Sequence, residues 1–169
     1  QKFAELDYEF SINLSYRDLL DTELTQFIFD QLKTYQVGKR LIFEILESDG
    51  IDNYNEVRRF IDKAKGFGCK IAIDDFGTGY SNFEHLLRLN VDLIKIDGSL
   101  IRNLNDDQSA IIVTRGVVQF ARSLGIKTVA EFVHCEAVQK QVQALDIDFS
   151  QGAYFSMPKA ELVETPKMM

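Results

Sequence analysis

The chain has 169 residues, 46% of them hydrophobic and 27% charged, which excludes a disordered tail, a collagen-like repeat and a disulfide-rich miniprotein. A net charge of −7, from 26 acidic and 19 basic residues, comes without any Lys/Arg cluster, which argues against DNA or RNA as a partner. No apolar run nears the roughly 18 residues of a membrane span, residues 1–10 are too charged for a signal peptide, and Cys69 and Cys135 read as structural thiols of a cytoplasmic domain.

Short apolar runs alternate with amphipathic stretches. Phe10–Leu14 predicts a strand, and residues 19–37 predict one helix with Leu20, Leu24, Phe27, Ile28 and Leu32 among its apolar positions. Leu41–Leu46 is almost continuously apolar, as a strand covered on both faces must be. Val57, Phe60, Ile61 and Ala64 then share a helical face, opened by Asn53 with Glu56 and closed by Gly66 and Gly68. Residues 70–74 predict a third strand, and a short helix runs from Ser81, with Glu84 at capping-box spacing, to Leu89. A fourth strand over 91–96 precedes a long helix over 108–124, stopped by Gly125. A fifth strand over 126–131, a helix over 136–145 and a sixth strand over 147–150 complete the series.

Such alternation predicts a parallel α/β sheet, either an open doubly wound sheet or a (β/α)8 barrel. The dinucleotide fingerprint is missing. Gly77-Thr78-Gly79 has neither the third Gly of that motif nor the Gly-Lys-Ser/Thr sequel of a phosphate loop.

Every predicted strand ends in a group able to bind metal or phosphate: Asn13, Glu44, Asp74 with Asp75, Lys95 with Asp97, Glu131 and Gln151. Parallel sheets place their chemistry at these carboxyl ends. One such residue is commonly a helix cap, but a full set points to a shared site. Hard oxygen donors dominate it, and with only two His in the chain the set suits Mg²⁺ or Mn²⁺ better than Zn²⁺ or copper. Adjacent aspartates on a continuing strand face opposite ways, so both can ligate only where the backbone turns. Phe76-Gly77-Thr78-Gly79 is the predicted turn. With Asp75 as the bridge, two ions about 3.5–4 Å apart could activate a water and neutralise a phosphoryl oxygen. Lys95 could polarise that water or hold a phosphate, or pair with the acids for structural reasons.

The stretch Ile73-Asp74-Asp75-Phe76-Gly77-Thr78-Gly79-Tyr80-Ser81 resembles the central signature of EAL-domain cyclic di-GMP phosphodiesterases. Ile12-Asn13-Leu14-Ser15 resembles the family's Asn-x-Ser strand, and Phe43-Glu44-Ile45-Leu46-Glu47-Ser48 its glutamate strand. Lys95-Ile96-Asp97, Val129-Ala130-Glu131, and Gln151-Gly152 with Phe155-Ser156-x-Pro158 resemble the later motifs, in family order. The resemblance implies a (β/α)8 TIM-type barrel that hydrolyses one phosphodiester of cyclic di-GMP to linear pGpG in bacterial second-messenger signalling. It implies Asn13, Glu44, Asp74, Asp75 and Glu131 as ligands of two Mg²⁺ or Mn²⁺ ions, with Asp75 and Glu131 counted among the catalytic groups. Lys95 would assist the attacking water, Gln151 would position that water or the ligand, and Glu47 would steady the loop carrying Gly77, Thr78 and Gly79. That loop is also linked to dimer contacts, so a homodimer is expected. GGDEF, PAS or receiver domains are expected in a parent protein, which regions outside this chain could anchor to a membrane.

Two departures stand out. The Glu-Ala-Leu segment that names the family is absent, so residues 1–169 are predicted to be a single domain truncated at its N-terminal end, with about six of eight strands. Phe132-Val133-His134 stands where the family usually has Gly-Val-Glu; His134 can still ligate a metal, but brings no fixed negative charge. Such changes are frequent in members that bind the dinucleotide without cutting it. The alternative is therefore a degenerate EAL domain acting as a cyclic di-GMP receptor or protein-interaction module. Retention of Asp74, Asp75, Lys95 and Glu131 favours the enzyme.

Overall fold

A computed structural model describes residues 8–46, 54–77 and 83–159. Through them run six strands: β1 (Phe10–Leu14), β2 (Leu41–Leu46), β3 (Lys70–Phe76), β4 (Leu93–Ile96), β5 (Lys127–Ala130) and β6 (Phe149–Ser150). All pair in parallel, each with its sequence neighbour. Between and beside them lie α1 (Tyr16–Leu20), α2 (Thr22–Tyr35), α3 (Tyr54–Gly66), α4 (Phe83–Arg88), α5 (Gly98–Ile101), α6 (Gln108–Ser123) and α7 (Glu136–Ala144). A doubly wound sheet reverses its strand order partway, whereas a barrel never does. The unbroken order β1 to β6 therefore selects the barrel type, with six strands described. Among the described residues no helix is long and apolar enough to cross a membrane.

Alternation along each strand sorts the side chains onto two faces. Phe43, Ile45, Ile71, Ile73, Ile94 and Ile96 are all but fully buried. They belong to the helix-covered face, where Phe43 meets Phe60 of α3 edge-on at 5.5 Å and Phe60 meets Phe29 of α2 at 5.3 Å. Burying each such side chain contributes on the order of 1.5–3 kcal/mol, so this layer holds the frame. The other face carries Glu44, Ala72, Lys95, Val129 and Gln151, which line a cavity of about 180 Å³.

Four local features differ from the sequence expectation. The helix expected over 19–37 is two helices, broken at Asp21. Ser15 and Asp18 form a capping box that starts α1 early, with the Ser15 N–H donating to Asp18 at 2.8 Å. Asp21 then accepts from the Glu23 and Leu24 N–H groups at 2.9 and 3.0 Å and starts α2. Asp97, read as a possible metal or phosphate group, instead caps the unforeseen α5 by accepting from the Ser99 N–H at 2.8 Å. Val91, Ile126 and Ile147 are buried but lead into their strands rather than pair within them. The expected caps Asn53 and Ser81 lie outside the described residues. Both cysteines are free thiols, and burial pushes Cys69 up to about 11, which keeps it protonated and inert.

Candidate active site at the carboxyl ends of the strands

Glu44 lies between Phe43 and Ile45, whose side chains pack in the helix layer, so alternation turns Glu44 to the inner face. The same rule brings Asp74 from β3 and Lys95 from β4. Glu131 follows β5 directly and donates its N–H to the Ile96 carbonyl at 3.2 Å. These four polar residues are 6–9% exposed and meet at one point. The Lys95 ammonium donates to Glu44 Oε2 at 2.8 Å and to Asp74 Oδ1 at 2.7 Å, and lies 2.9 Å from Glu131 Oε1.

Asp75 joins them by a different route. Its φ is +55°, and the ladder to β4 shifts register between Ile73 and Phe76. Such a bulge re-aims a side chain. Carboxylate oxygens of Asp74, Asp75 and Glu131 consequently all come within 4.8 Å of one another. The backbone therefore already turns at Asp75, one residue before the expected Phe76–Gly79 segment, of which Thr78 and Gly79 lie outside the described residues. Phe76 returns to the strand, pairs with Ile96 and packs edge-on against Phe83 at 5.4 Å. Aspartate is among the few residues that tolerate the left-handed region, so the double Asp is compatible with the kink.

Charge is unbalanced here, four carboxylates facing one ammonium. Burial raises the Asp75 carboxyl above its ordinary value, and the charges of Asp74 and Asp97 raise it further, against a smaller opposing effect of Lys95. Glu131 is raised by burial too, only partly offset by Lys95. Burial alone would lower Lys95, but its hydrogen bonds to Asp74, Glu44 and Glu131 outweigh that and hold the ammonium above its usual range. The cluster attracts cations. Its hard, closely spaced oxygens fit a divalent ion such as Mg²⁺ or Mn²⁺.

The remaining expected residues surround this centre. Asn13 stands beside Glu44 in the β1–β2 register, exposed, and makes no hydrogen bond to the cluster among the described residues. Gln151 lines the same cavity as Glu44 and Lys95. Its backbone ties β6 to β5: the Gln151 N–H donates to Ala130 O at 2.8 Å and its carbonyl accepts from the Val133 N–H at 3.0 Å. The next residue, Gly152, has φ +154°, and a Cβ there would come 2.2 Å from Val133 O, so only glycine fits. His134 is exposed beside buried Val133. Gly77 leaves β3 with φ +109°; Glu47, Thr78 and Gly79 lie outside the described residues.

The sequence reading did not anticipate what Phe132 does. It holds φ +54°, an uncommon conformation for a bulky residue. Its ring lies so close over Gly98 that a Cβ there would come 2.5 Å from it, and the Arg102 guanidinium stacks 4.4 Å from its centroid. Phe132 thus ties the segment after β5 to both ends of α5, the short helix that follows β4. The sequence signals were Phe132 itself, in place of the usual glycine, and Gly98, a small residue two positions after β4.

Fold and cluster together define a class: a parallel barrel with an acidic, cation-holding site at the carboxyl ends of its strands. The EAL domain family matches residues 1–158. Cyclic di-GMP phosphodiesterase PdeF of Escherichia coli K12 is 35% identical over 159 residues, 94% of this chain and 21% of that protein. Cyclic di-GMP phosphodiesterase PdeA of Borreliella burgdorferi is 32% identical over 151 residues, 89% of this chain and 22% of that protein. Klebsiella pneumoniae BlrP1, solved as a manganese/cy-diGMP complex, matches with a TM-score of 0.78 at 28% identity, over 86% of this chain and 38% of that one. The chain belongs to the EAL-domain family. It spans 21–22% of the length of these curated relatives.

Proposed function

We propose that this chain contributes the catalytic site of a cyclic di-GMP phosphodiesterase, which opens one phosphodiester of the cyclic dinucleotide to give linear pGpG in bacterial signalling. The observation that carries this reading is the convergence of Asp74, Asp75 and Glu131 beside a lysine held by three acids. The names of the two relatives and the ligands of the Klebsiella neighbour support the substrate and the class of ion.

Asn13, Glu44, Asp74, Asp75 and Glu131 would hold Mg²⁺ or Mn²⁺, with Asp75 as the shared ligand. When bound, such ions supply Lewis acidity toward the attacking water and the phosphoryl oxygen. Lys95 keeps the carboxylates from repelling one another and would assist the attacking water. Gln151 lines the approach to it, and the bulge at Asp75 fixes two acidic ligands on adjacent residues. The reading includes a homodimer, a cytoplasmic location, and GGDEF, PAS or receiver domains in the parent protein.

Asp75→Asn is the decisive variant. Asparagine tolerates the left-handed backbone as aspartate does, so the change removes charge while leaving the kink. Linear product measured by chromatography should fall by about a hundredfold or more, and chelator should abolish it in the wild type. Undiminished turnover in either case would sink the reading. Tight cyclic di-GMP binding by the wild type with no linear product would instead favour the receptor alternative, to which the Phe132 and His134 departures point.

A further inference from the structure

A lysine ammonium has three N–H donors and no more. In Lys95 two of them go to the Glu44 and Asp74 carboxylates, at 2.8 and 2.7 Å, and the ammonium is also ion-paired with Glu131 at 2.9 Å. An ammonium surrounded by three carboxylates in this way is held by the acids rather than turned to a water or a phosphate. Two of its three acceptors, Asp74 and Glu131, also belong to the group whose oxygens lie within 4.8 Å of one another and of Asp75. A divalent ion seated there would draw on the same negative charge that now holds Lys95.

We infer that Lys95 and the divalent ion compete for the Asp74 and Glu131 carboxylates, so that ion binding detaches at least one Lys95 N–H and converts an internal counter-ion into a donor facing the substrate. The inference rests on the functional reading above for the presence of an ion. It adds an order of events: ion first, lysine released second.

Electrostatics and packing both favour this exchange. Two cations a few ångström apart in a poorly solvated site repel strongly, and Lys95 is 7% exposed, so water cannot screen them. Its strand is fixed by pairing to β3 and β5. Rotation of the flexible four-carbon stem relieves the repulsion by carrying Nζ away from the shared oxygens.

Two measurements on the full chain test the exchange. In the first, chelator-treated protein labelled with ¹⁵N-lysine is titrated with Mg²⁺. The Lys95 ammonium resonance, assigned by its loss in Lys95→Arg, should shift, and its hydrogen exchange should quicken by roughly tenfold as a protecting bond is lost. Calorimetry on the same sample establishes Mg²⁺ saturation. In the second, Lys95→Met should bind Mn²⁺ roughly tenfold or more tightly than wild type, because the competing charge is gone. Should Lys95→Met fail to fold, the wild-type resonance decides alone. A Lys95 signal unchanged at saturating Mg²⁺, or equal or weaker Mn²⁺ binding by folded Lys95→Met, overturns the exchange and leaves the functional reading standing. Absence of any Mg²⁺ or Mn²⁺ binding overturns both.

Discussion

The two ends of the sheet use the same ingredients to opposite effect. At the amino ends, Asp92 and Asp148 each pair with one lysine and one backbone N–H of the neighbouring strand. Asp92 takes Lys65 at 2.8 Å and the Ile71 N–H at 2.9 Å. Asp148 takes Lys127 at 2.6 Å, and the Thr128 N–H and hydroxyl at 2.9 and 3.0 Å. The local sequences match as well, Val91-Asp92-Leu93 against Ile147-Asp148-Phe149. Each aspartate bolts one strand to the previous one. At the carboxyl ends a single lysine serves three acids, and a fourth stands beside them. The titrations diverge accordingly. Burial opposes ionisation of Asp148, yet Lys127 and Thr128 prevail and hold its carboxyl below the ordinary range; Asp75 and Glu131 are held above theirs. Balanced charge fastens the sheet, and surplus charge of one sign leaves it with something to bind.

The sharpest way to break this contrast is to remove the one cation of the crowded end. Lys95→Met leaves three buried carboxylates without a counter-charge and should lower stability by about 3–5 kcal/mol in urea denaturation with chelator present. Saturating Mn²⁺ should return part of it. A loss under about 1 kcal/mol would mean that the carboxyl end is no more strained than the amino end.

A smaller effect is expected for Asp148→Asn, about 1–2 kcal/mol at neutral pH. Its pH dependence carries the sign. A carboxyl depressed in the fold contributes fully above its unfolded value and loses that contribution as pH falls through its folded value. The gap between wild type and Asp148→Asn should therefore stay constant down to about pH 5 and close below the ordinary aspartate range. Asp75 and Glu131 act in the reverse sense, since protonation of raised carboxyls relieves the fold as pH drops. A gap that widens in acid would contradict the bolt.

The smallest effect belongs to Lys127→Gln. Its side chain is 62% exposed, so its pair with Asp148 should contribute about 0.5 kcal/mol or less and vanish in high salt. A larger loss, seen in the same denaturation experiment, would blur the distinction between the lysine and the backbone N–H as the holding partner.

The strands were legible because each is a run of β-branched and large apolar residues bounded by turn residues. The site was legible because its acids interrupt those runs at one end. The break at Asp21 was hidden, since Leu20 and Leu24 keep helical spacing across it. Nothing in Asp74-Asp75 alone says which residue takes the positive φ, because the bulge is set by pairing with β4. Pairing of Lys95 with acids was among the readings, but its three particular partners were not legible, as they come from β2, β3 and the end of β5 and depend on register.

Phe132 and Gly98 impose a history on each other. With the ring in place, any side chain at 98 collides with it, so position 98 is frozen for as long as 132 stays aromatic. Glycine at 132 would relax the backbone at φ +54° and free position 98 in the same step. The reverse order is closed, because a Cβ acquired first at 98 would bar phenylalanine from 132. Of the two positions, 132 is therefore the one that can change without a steric clash, while a side chain gained at 98 must first displace the ring.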